Sequence, residues 1–352
     1  MAMTSFGTND AQTVSIWAKR TAREALKSTL VFKKFLGTGP RAIIERRTDL
    51  EKTAGDTIKY DLLMQAKAAG VTGKNRLKDN EEALTYYQDT VIIDQLRNAH
   101  SFDRMSQQRT IHSLRKDASL NLGEWFADKF ESYMFRALCG DTSLTHGQTA
   151  VAPDSAHQVF CGNQATEAAV VSNTEQITLD ELDYAKEKAI TNSPPMRPVR
   201  IDGGEYFVAV LHPYSITDLR LNLGSSSNAK WMEIQQYANK RGKDNPIFTG
   251  AEGLYNGIII YSSHHIYSPI ANCRRNLLLG AQAGVFAVGN AYEKMDQSKM
   301  GKENMYSWYE ESDDYGNEKG IAVGSIFGMK KTRFNSADYG TMVISSYATS
   351  KR

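Results

Sequence analysis

Four residues near the middle of the chain, Cys139, His146, His157 and Cys161, carry side chains that could close around a zinc ion. Thiolate sulfur and imidazole nitrogen are donors zinc prefers, but a structural zinc site normally opens on a close Cys-x-x-Cys pair. Here the spacings are seven, eleven and four residues, so buried cysteines and loop histidines are the simpler expectation. Ser263, His264 and His265 form a second set of nucleophilic and metal-binding types. At the end of a strand, adjacent histidines would point to opposite faces and fail to converge. Gly37-Thr38-Gly39-Pro40-Arg41 is glycine-rich, yet it follows a helical pattern and lacks the Gly-Lys-Ser/Thr ending of a phosphate loop, so it reads as a helix stop. The acidic run Glu310-Glu311-Ser312-Asp313-Asp314-Tyr315-Gly316-Asn317 departs from the spaced ligands of a twelve-residue calcium loop. With Gly316 and Asn317 it reads as a hairpin turn. No catalytic, cofactor or metal site is assigned, and the chain is not expected to be an enzyme.

The elements around these residues suggest an extended molecule. Residues 11–36 have the spacing of an amphipathic helix, with Val14, Trp17, Ala18, Ala22, Ala25, Leu26 and Leu30 on one stripe and Lys19, Arg20, Arg23 and Lys27 between them. The first 50 residues hold nine Lys/Arg against four Asp/Glu, which gives this arm a basic face for solvent, DNA or another subunit. Residues 56–100 alternate as a two-stranded ribbon, outward through Ile58, Tyr60, Leu62 and Met64 and back through Leu84 to Leu96. Its tip, about 18 residues long, carries Lys67, Lys74, Arg76, Lys78, Asp79, Glu81 and Glu82, whereas hairpin loops usually take about two to five residues. An isolated ribbon is marginal in water, so this one needs a surface to lean on.

One apolar stripe through Ile111, Leu114, Ala118, Leu122, Phe126, Phe130, Tyr133 and Ala137 predicts a spine helix over 103–139, capped by Ser101 or Asp103 and stopped at Gly140. Such a helix would be about 54 Å long, with Gly123 a candidate bend or close contact. Residues 141–178 are irregular. Beyond them the pattern turns α/β. Helices are expected over Leu179–Ile190, Ser215–Leu223 and Trp231–Arg241. Strands are expected over Glu205–Leu211, Gly257–Ser262, Ala281–Val288, Ile321–Lys331 and Thr341–Tyr347.

Composition narrows the class. Apolar residues make up 41% and charged residues 23%, ordinary for a globular protein, and the net charge of +2 argues against a dedicated nucleic-acid binder. Three widely spaced cysteines are not a disulfide framework and suit a reducing compartment. Neither a secretory leader nor an apolar run of about 18 residues occurs, so no membrane association is expected.

Several segments together resemble the tailed-bacteriophage major capsid proteins of the Hong Kong 97-type fold. They are Phe6-Gly7-Thr8-Asn9-Asp10-Ala11-Gln12-Thr13-Val14, Trp125-Phe126, Phe207-Val208-Ala209-Val210-Leu211-His212-Pro213 with Asp218-Leu219, Gly253 through Ser262, and Gly280-Ala281-Gln282-Ala283-Gly284. The resemblance runs along nearly the whole chain, and the order of segments is its specific part. It implies an α+β fold with an N-terminal arm (1–50), an extended hairpin loop (51–100) and a peripheral domain with the spine helix (101–178). An axial domain (179–300), a peripheral sheet (301–340) and a last strand returning to the axial domain (341–352) would follow. It further implies self-assembly as hexamers and pentamers into an icosahedral head around double-stranded DNA, held by non-specific contact. Portal, scaffold and decoration proteins would be partners, assembly would take place in the host cytoplasm, and the virion capsid would be the destination. No large amino-terminal scaffolding segment is evident, which would require a separate scaffold or none, and residues for a Lys–Asn cross-link find no match. Subunit contacts are expected at Lys67, Lys74, Arg76, Lys78, Asp79, Glu81 and Glu82 of the ribbon and at Trp17, Arg20 and Arg23 of the arm. The competing readings are a bacterial nanocompartment shell of the same fold, a metal-dependent hydrolase built on the Cys/His set, and a nucleic-acid binding module.

Overall fold

The computed structural model describes residues 31–51, 53–63, 66, 68–201, 203–221, 253–290 and 305–351. Most of the arm helix expected over 11–36, and all of that over Trp231–Arg241, lie outside these residues. Val31–Phe35 forms a π-helical turn, and the chain then enters strand β1 (Leu36–Gly37). The glycine run therefore links two strands instead of stopping a helix directly.

In chain order, β2 (Ile44–Leu50) leads into the ribbon strands β3 (Thr57–Leu63) and β4 (Tyr86–Ile92), followed by β5 (Asp94–Asp103). Helices α1 (Arg104–Arg109) and α2 (Leu114–Cys139) precede an irregular stretch containing the short strand β6 (Gln158–Phe160), then α3 (Leu179–Thr191). Strands β7 (Val199–Ile201) and β8 (Gly204–Leu211), helix α4 (Pro213–Leu221), and strands β9 (Gly253–Tyr255), β10 (Ile258–Ser262), β11 (Cys273–Leu279) and β12 (Gly284–Gly289) come next. The chain ends with β13 (Tyr306–Asp313), β14 (Glu318–Lys331) and β15 (Thr341–Tyr347).

Two mixed sheets carry the fold. The first runs β1-β2-β12-β14-β13, with β5 also paired to β14. The second runs β9-β10-β8-β11-β15-β6, with β7 on β8. Side chains on successive strand residues point to opposite faces, and the second sheet uses both. Phe207, Ala209, Leu211, Ile258, Ile260, Met342 and Ile344 pack with Leu179, Leu182, Ala185 and Leu219 of α3 and α4. Val208, Val210, Ile259, Tyr261, Leu277 and Val343 face the other way, into the core that holds α2. The opening signal of α3 works as expected: the Thr178 hydroxyl accepts from the Glu181 amide.

The spine helix is shorter than the sequence pattern indicates. The strand before it, residues 94–103, runs on seven residues beyond the expected end at Leu96, in antiparallel register with β14 from Asp94↔Phe327 to Asp103↔Glu318. Asp103 caps only the short α1, accepting from the Ser106 amide at 3.2 Å. Thr110 is extended, Ile111 is fully exposed, and α2 starts at Leu114. Its 26 residues span about 39 Å. Of the expected stripe, Ala118, Leu122, Phe126, Phe130 and Ala137 are buried and Leu114 and Tyr133 half-buried; Gly123, Met134 and Leu138 are buried beside them. Gly140 ends α2 in the left-handed region (φ 71°), and a Cβ there would stand 2.6 Å from the Val151 carbonyl oxygen. Around Phe130 lie Phe327, with ring centroids 4.5 Å apart, Tyr306 at 5.9 Å and Phe286 at 6.2 Å, all from the first sheet.

The remaining differences are local. The return strand expected over Leu84–Leu96 changes partner at Ile93, pairing with β3 before it and with β14 after it. The segment Asn276–Asn290 is two strands in different sheets, and the second begins at Gly284, not Ala281. The acidic run does make a hairpin turn, but its positive-φ residues are Asp314, Tyr315 and Gly316, while Asn317 is right-handed helical. Glu310 lies on β13, buried, where it accepts from Trp308 Nε1 (2.9 Å) and pairs with Arg115 of α2 (2.5 Å).

A half-buried joint ties the end of α2 to the second sheet. Arg275 on β11 donates to the carbonyl oxygens of Cys139 and Gly140 (3.1 and 2.9 Å) and grips Glu167 with two bonds of 2.7 and 2.6 Å. An arginine is well matched here because its planar fork meets a carboxylate while other N–H groups satisfy the helix's last carbonyls. Burial pushes the Glu167 carboxyl up, but Arg275 and the Ser345 hydroxyl outweigh it and hold it below the ordinary glutamate range. A depressed folded pKa adds stability that is complete above the unfolded value and is lost as pH falls through the folded one.

Two outcomes are expected. Phe130→Ala should cost about 3–5 kcal/mol, read as a lower denaturant midpoint with an unchanged slope. The melting temperature of Glu167→Gln should fall less steeply than that of the parent chain below about pH 4.5; parallel acid limbs would remove the carboxylate from this role.

Candidate functional site

The ribbon is fixed at one end and open at the other. In the β3–β4 pair, Ile58 faces Val91 and Tyr60 faces Asp89. Ile58, Tyr60 and Val91 are buried against Leu50, Val285 and Ala287 of the first sheet. Asp89, 8% exposed, is the polar centre of this base. It accepts from the Tyr60 hydroxyl (2.7 Å) and from the Arg333 amide (3.1 Å), and it pairs with Lys330, whose ammonium also donates to the Thr90 carbonyl at 2.9 Å. Burial and then the Asp89 charge push the Tyr60 phenol far above its ordinary range, so it stays a neutral donor. The Phe334 ring lies edge-on to Tyr60, with centroids 6.0 Å apart.

Past Leu63 and before Tyr86, none of the described residues is in a helix or strand. Lys74, Arg76, Lys78, Asp79, Glu81 and Glu82 are all exposed there. Local bonds shape the loop: the Glu82 carboxylate accepts from the Ala68 amide at 2.9 Å, Glu81 from the Asp79 amide at 2.7 Å, and the Asn80 side chain donates to the Arg76 carbonyl at 3.0 Å. Among the described residues, Lys74, Arg76 and Lys78 take part in no ion pair. Lys67 and the arm residues Trp17, Arg20 and Arg23 lie outside the described residues. Reading the loop by its charges missed its apolar side, since Leu77 is 62%, Leu84 69% and Tyr86 56% exposed. Large apolar residues within a charged loop were the available signal.

A ribbon of this form beside a spine helix and two sheets has clear counterparts among known proteins. The sequence pattern of the family described as phage capsid protein matches residues 5–350. The chain belongs to the phage capsid protein family. Its sequence is 27% identical over 384 residues to the major capsid protein of Pseudomonas phage KPP25, covering 95% of this chain and 94% of that one. The capsid of Ralstonia phage GP4 superimposes with a TM-score of 0.78 at 30% identity over 100% of both chains. The capsid of cyanophage Pam1, at 22% identity and a TM-score of 0.72 over 91% and 93% of the two chains, shares the fold. This is the Hong Kong 97-type fold expected from the sequence, and shell formation is the function of a major capsid protein.

In this capsid protein the Cys/His set does not come together. The Cys139 thiol donates to the Arg275 carbonyl (3.2 Å), His146 Nε2 meets the Phe327 carbonyl (3.1 Å), and His157 Nδ1 meets Asp154 (2.9 Å). Cys161 is in the core beneath α3. All three cysteines are free and buried, and burial pushes the thiols of Cys139 and Cys273 up to about 12. The histidine pair differs from its sequence reading. His264 and His265 lie in a turn beyond β10, where the His265 amide donates to Ser263 Oγ (3.3 Å), and their ring centroids are 3.9 Å apart. The opposite-face rule does not apply because the strand has ended. Among the described residues, no helix is long and apolar enough to cross a membrane.

Asp89→Ala should leave Lys330 without its carboxylate and cost about 3 kcal/mol. Hydrogen exchange should quicken more in 57–63 and 86–92 than in β8 or β11. Equal change throughout would show that the ribbon base does not depend on Asp89.

Proposed function

We propose that copies of this chain tile a closed icosahedral shell as hexamers and pentamers, enclosing double-stranded phage DNA. The observation that carries the reading is the ribbon: its base is set into the chain's own first sheet, while its tip leaves charged groups and Leu77, Leu84 and Tyr86 exposed. A hairpin extension is marginal unless it rests on a further surface, and a neighbouring copy supplies one. Lysines and carboxylates around apolar anchors suit interfaces that form reversibly, with charge setting register and apolar burial supplying affinity.

Residues 1–50 and 51–100 then act as the arm and the loop that reach neighbouring copies, with Trp17, Arg20, Arg23 and Lys67 among the contacts. The second sheet, with α3 and α4, forms the axial body around local symmetry axes. The first sheet, with α2, forms the peripheral body, which takes β12 as well as residues 101–178 and 301–340. Contact with DNA is non-specific, in keeping with a net charge of only +2. Assembly occurs in the host cytoplasm with a portal, and with separate scaffold or decoration proteins where the shell needs them. The protein works by repeated interfaces, not by catalysis.

Reversing Lys74, Arg76 and Lys78 to glutamate tests the reading. Negative-stain microscopy should find closed shells lost or sparse, while circular dichroism and the melting temperature of the unassembled chain stay unchanged. Shells of normal number and shape from the triple variant would sink the ribbon's role.

A further inference from the structure

We propose that Asp128, His264 and His265 form a binding site for one divalent transition-metal cation, of the zinc class, between the spine helix and the second sheet. Asp128 lies in the middle of α2 and the two histidines in the turn after β10, so the donors come from two elements that are 136 residues apart in sequence. One donor atom from each lies within 4.8 Å of the other two. His265 Nε2 is 3.5 Å from the Asp128 carboxylate. Zinc–nitrogen and zinc–oxygen bonds of about 2.0–2.1 Å place tetrahedral ligands about 3.3 Å apart. One pair is therefore already near the required separation, and the exposed Asp128 and His264 have room to close the rest.

The donor set selects the cation. Two imidazoles and one carboxylate suit zinc, cobalt or nickel, whereas magnesium and calcium demand oxygen ligands. Three protein ligands leave a fourth position for water or for a group from a neighbouring copy. Burial, and then the neighbouring His264, lower the His265 pKa below the ordinary imidazole value, and a neutral ring is the form that ligates. Lys129 beside it contributes a positive potential that weakens cation binding. Bound there, the cation would cross-link α2 to the turn that follows β10.

The test uses the full-length protein, freed of metal by chelation, with Co2+ as probe and Zn2+ as competitor. The expected result is saturable uptake of one Co2+ per chain, with visible ligand-field absorption that Zn2+ abolishes. His264→Ala/His265→Ala should weaken uptake by more than about tenfold, since loss of even an outer partner of a metal ligand has that effect. Asp128→Asn keeps both rings and should shift the absorption bands and weaken uptake. Circular dichroism establishes that each variant is folded, and microscopy scores shells separately, so a failure of assembly is distinguishable from a failure of this site. Absence of saturable Co2+ uptake would overturn the proposal, as would uptake that is unaltered in both variants.

Discussion

The packing of Phe130 against Phe286, Tyr306 and Phe327 is the contact on which the rest of the molecule depends. One helix presents its apolar stripe to the first sheet, while the same core continues into Val208, Val210, Ile259 and Val343 of the second. The two sheets are therefore not separate bodies joined by a linker. Burial of large aromatic side chains in edge-on geometry contributes both area and orientation, which fixes the helix in rotation as well as position. The Arg275–Glu167 joint at the carboxyl end of α2 completes this arrangement by satisfying carbonyls that a helix leaves open.

What could be read in advance was what depends on local pattern. The amphipathic stripe of α2 from Leu114 onward, the Thr178 cap, the stop at Gly140 and the alternation of β8 each follow from a few neighbouring residues. Over 103–113 the apolar positions also fit one helical period, but the strand paired to β14 runs on to Asp103 and a break at Thr110–Ser113 leaves α2 to begin at Leu114. Pairing partners more than 200 residues away leave no trace in a short window. The same limit hid Asp89–Lys330 and Arg275–Glu167, whose members are 241 and 108 residues apart.

The candidate surfaces were partly legible for a different reason. Charged residues in an over-long hairpin loop marked the ribbon tip, and the loop is exposed as that composition suggests. Leu77 is a single apolar residue among charges and carries no period, and Leu84, expected to open the return strand, lies exposed before its start at Tyr86. The histidine pair was dismissed by a rule for strands. The strand ends at Ser262 as expected, and in the turn that follows the two rings lie with centroids 3.9 Å apart.

The joint at Ile93 is where the ribbon meets the first sheet. One residue separates the strand paired within the ribbon from the strand paired into the first sheet, and the Ile93 amide is itself held by the Asp56 carbonyl at 2.9 Å. Beneath it, Gly328 brings the backbone of β14 so close to the Ile92 carbonyl that there is no room for a side chain. The paired part of the ribbon is thus continuous through Ile93 with the strand paired to β14, and β14 carries Phe327 of the aromatic seam, so the ribbon base and the core share one run of backbone pairing.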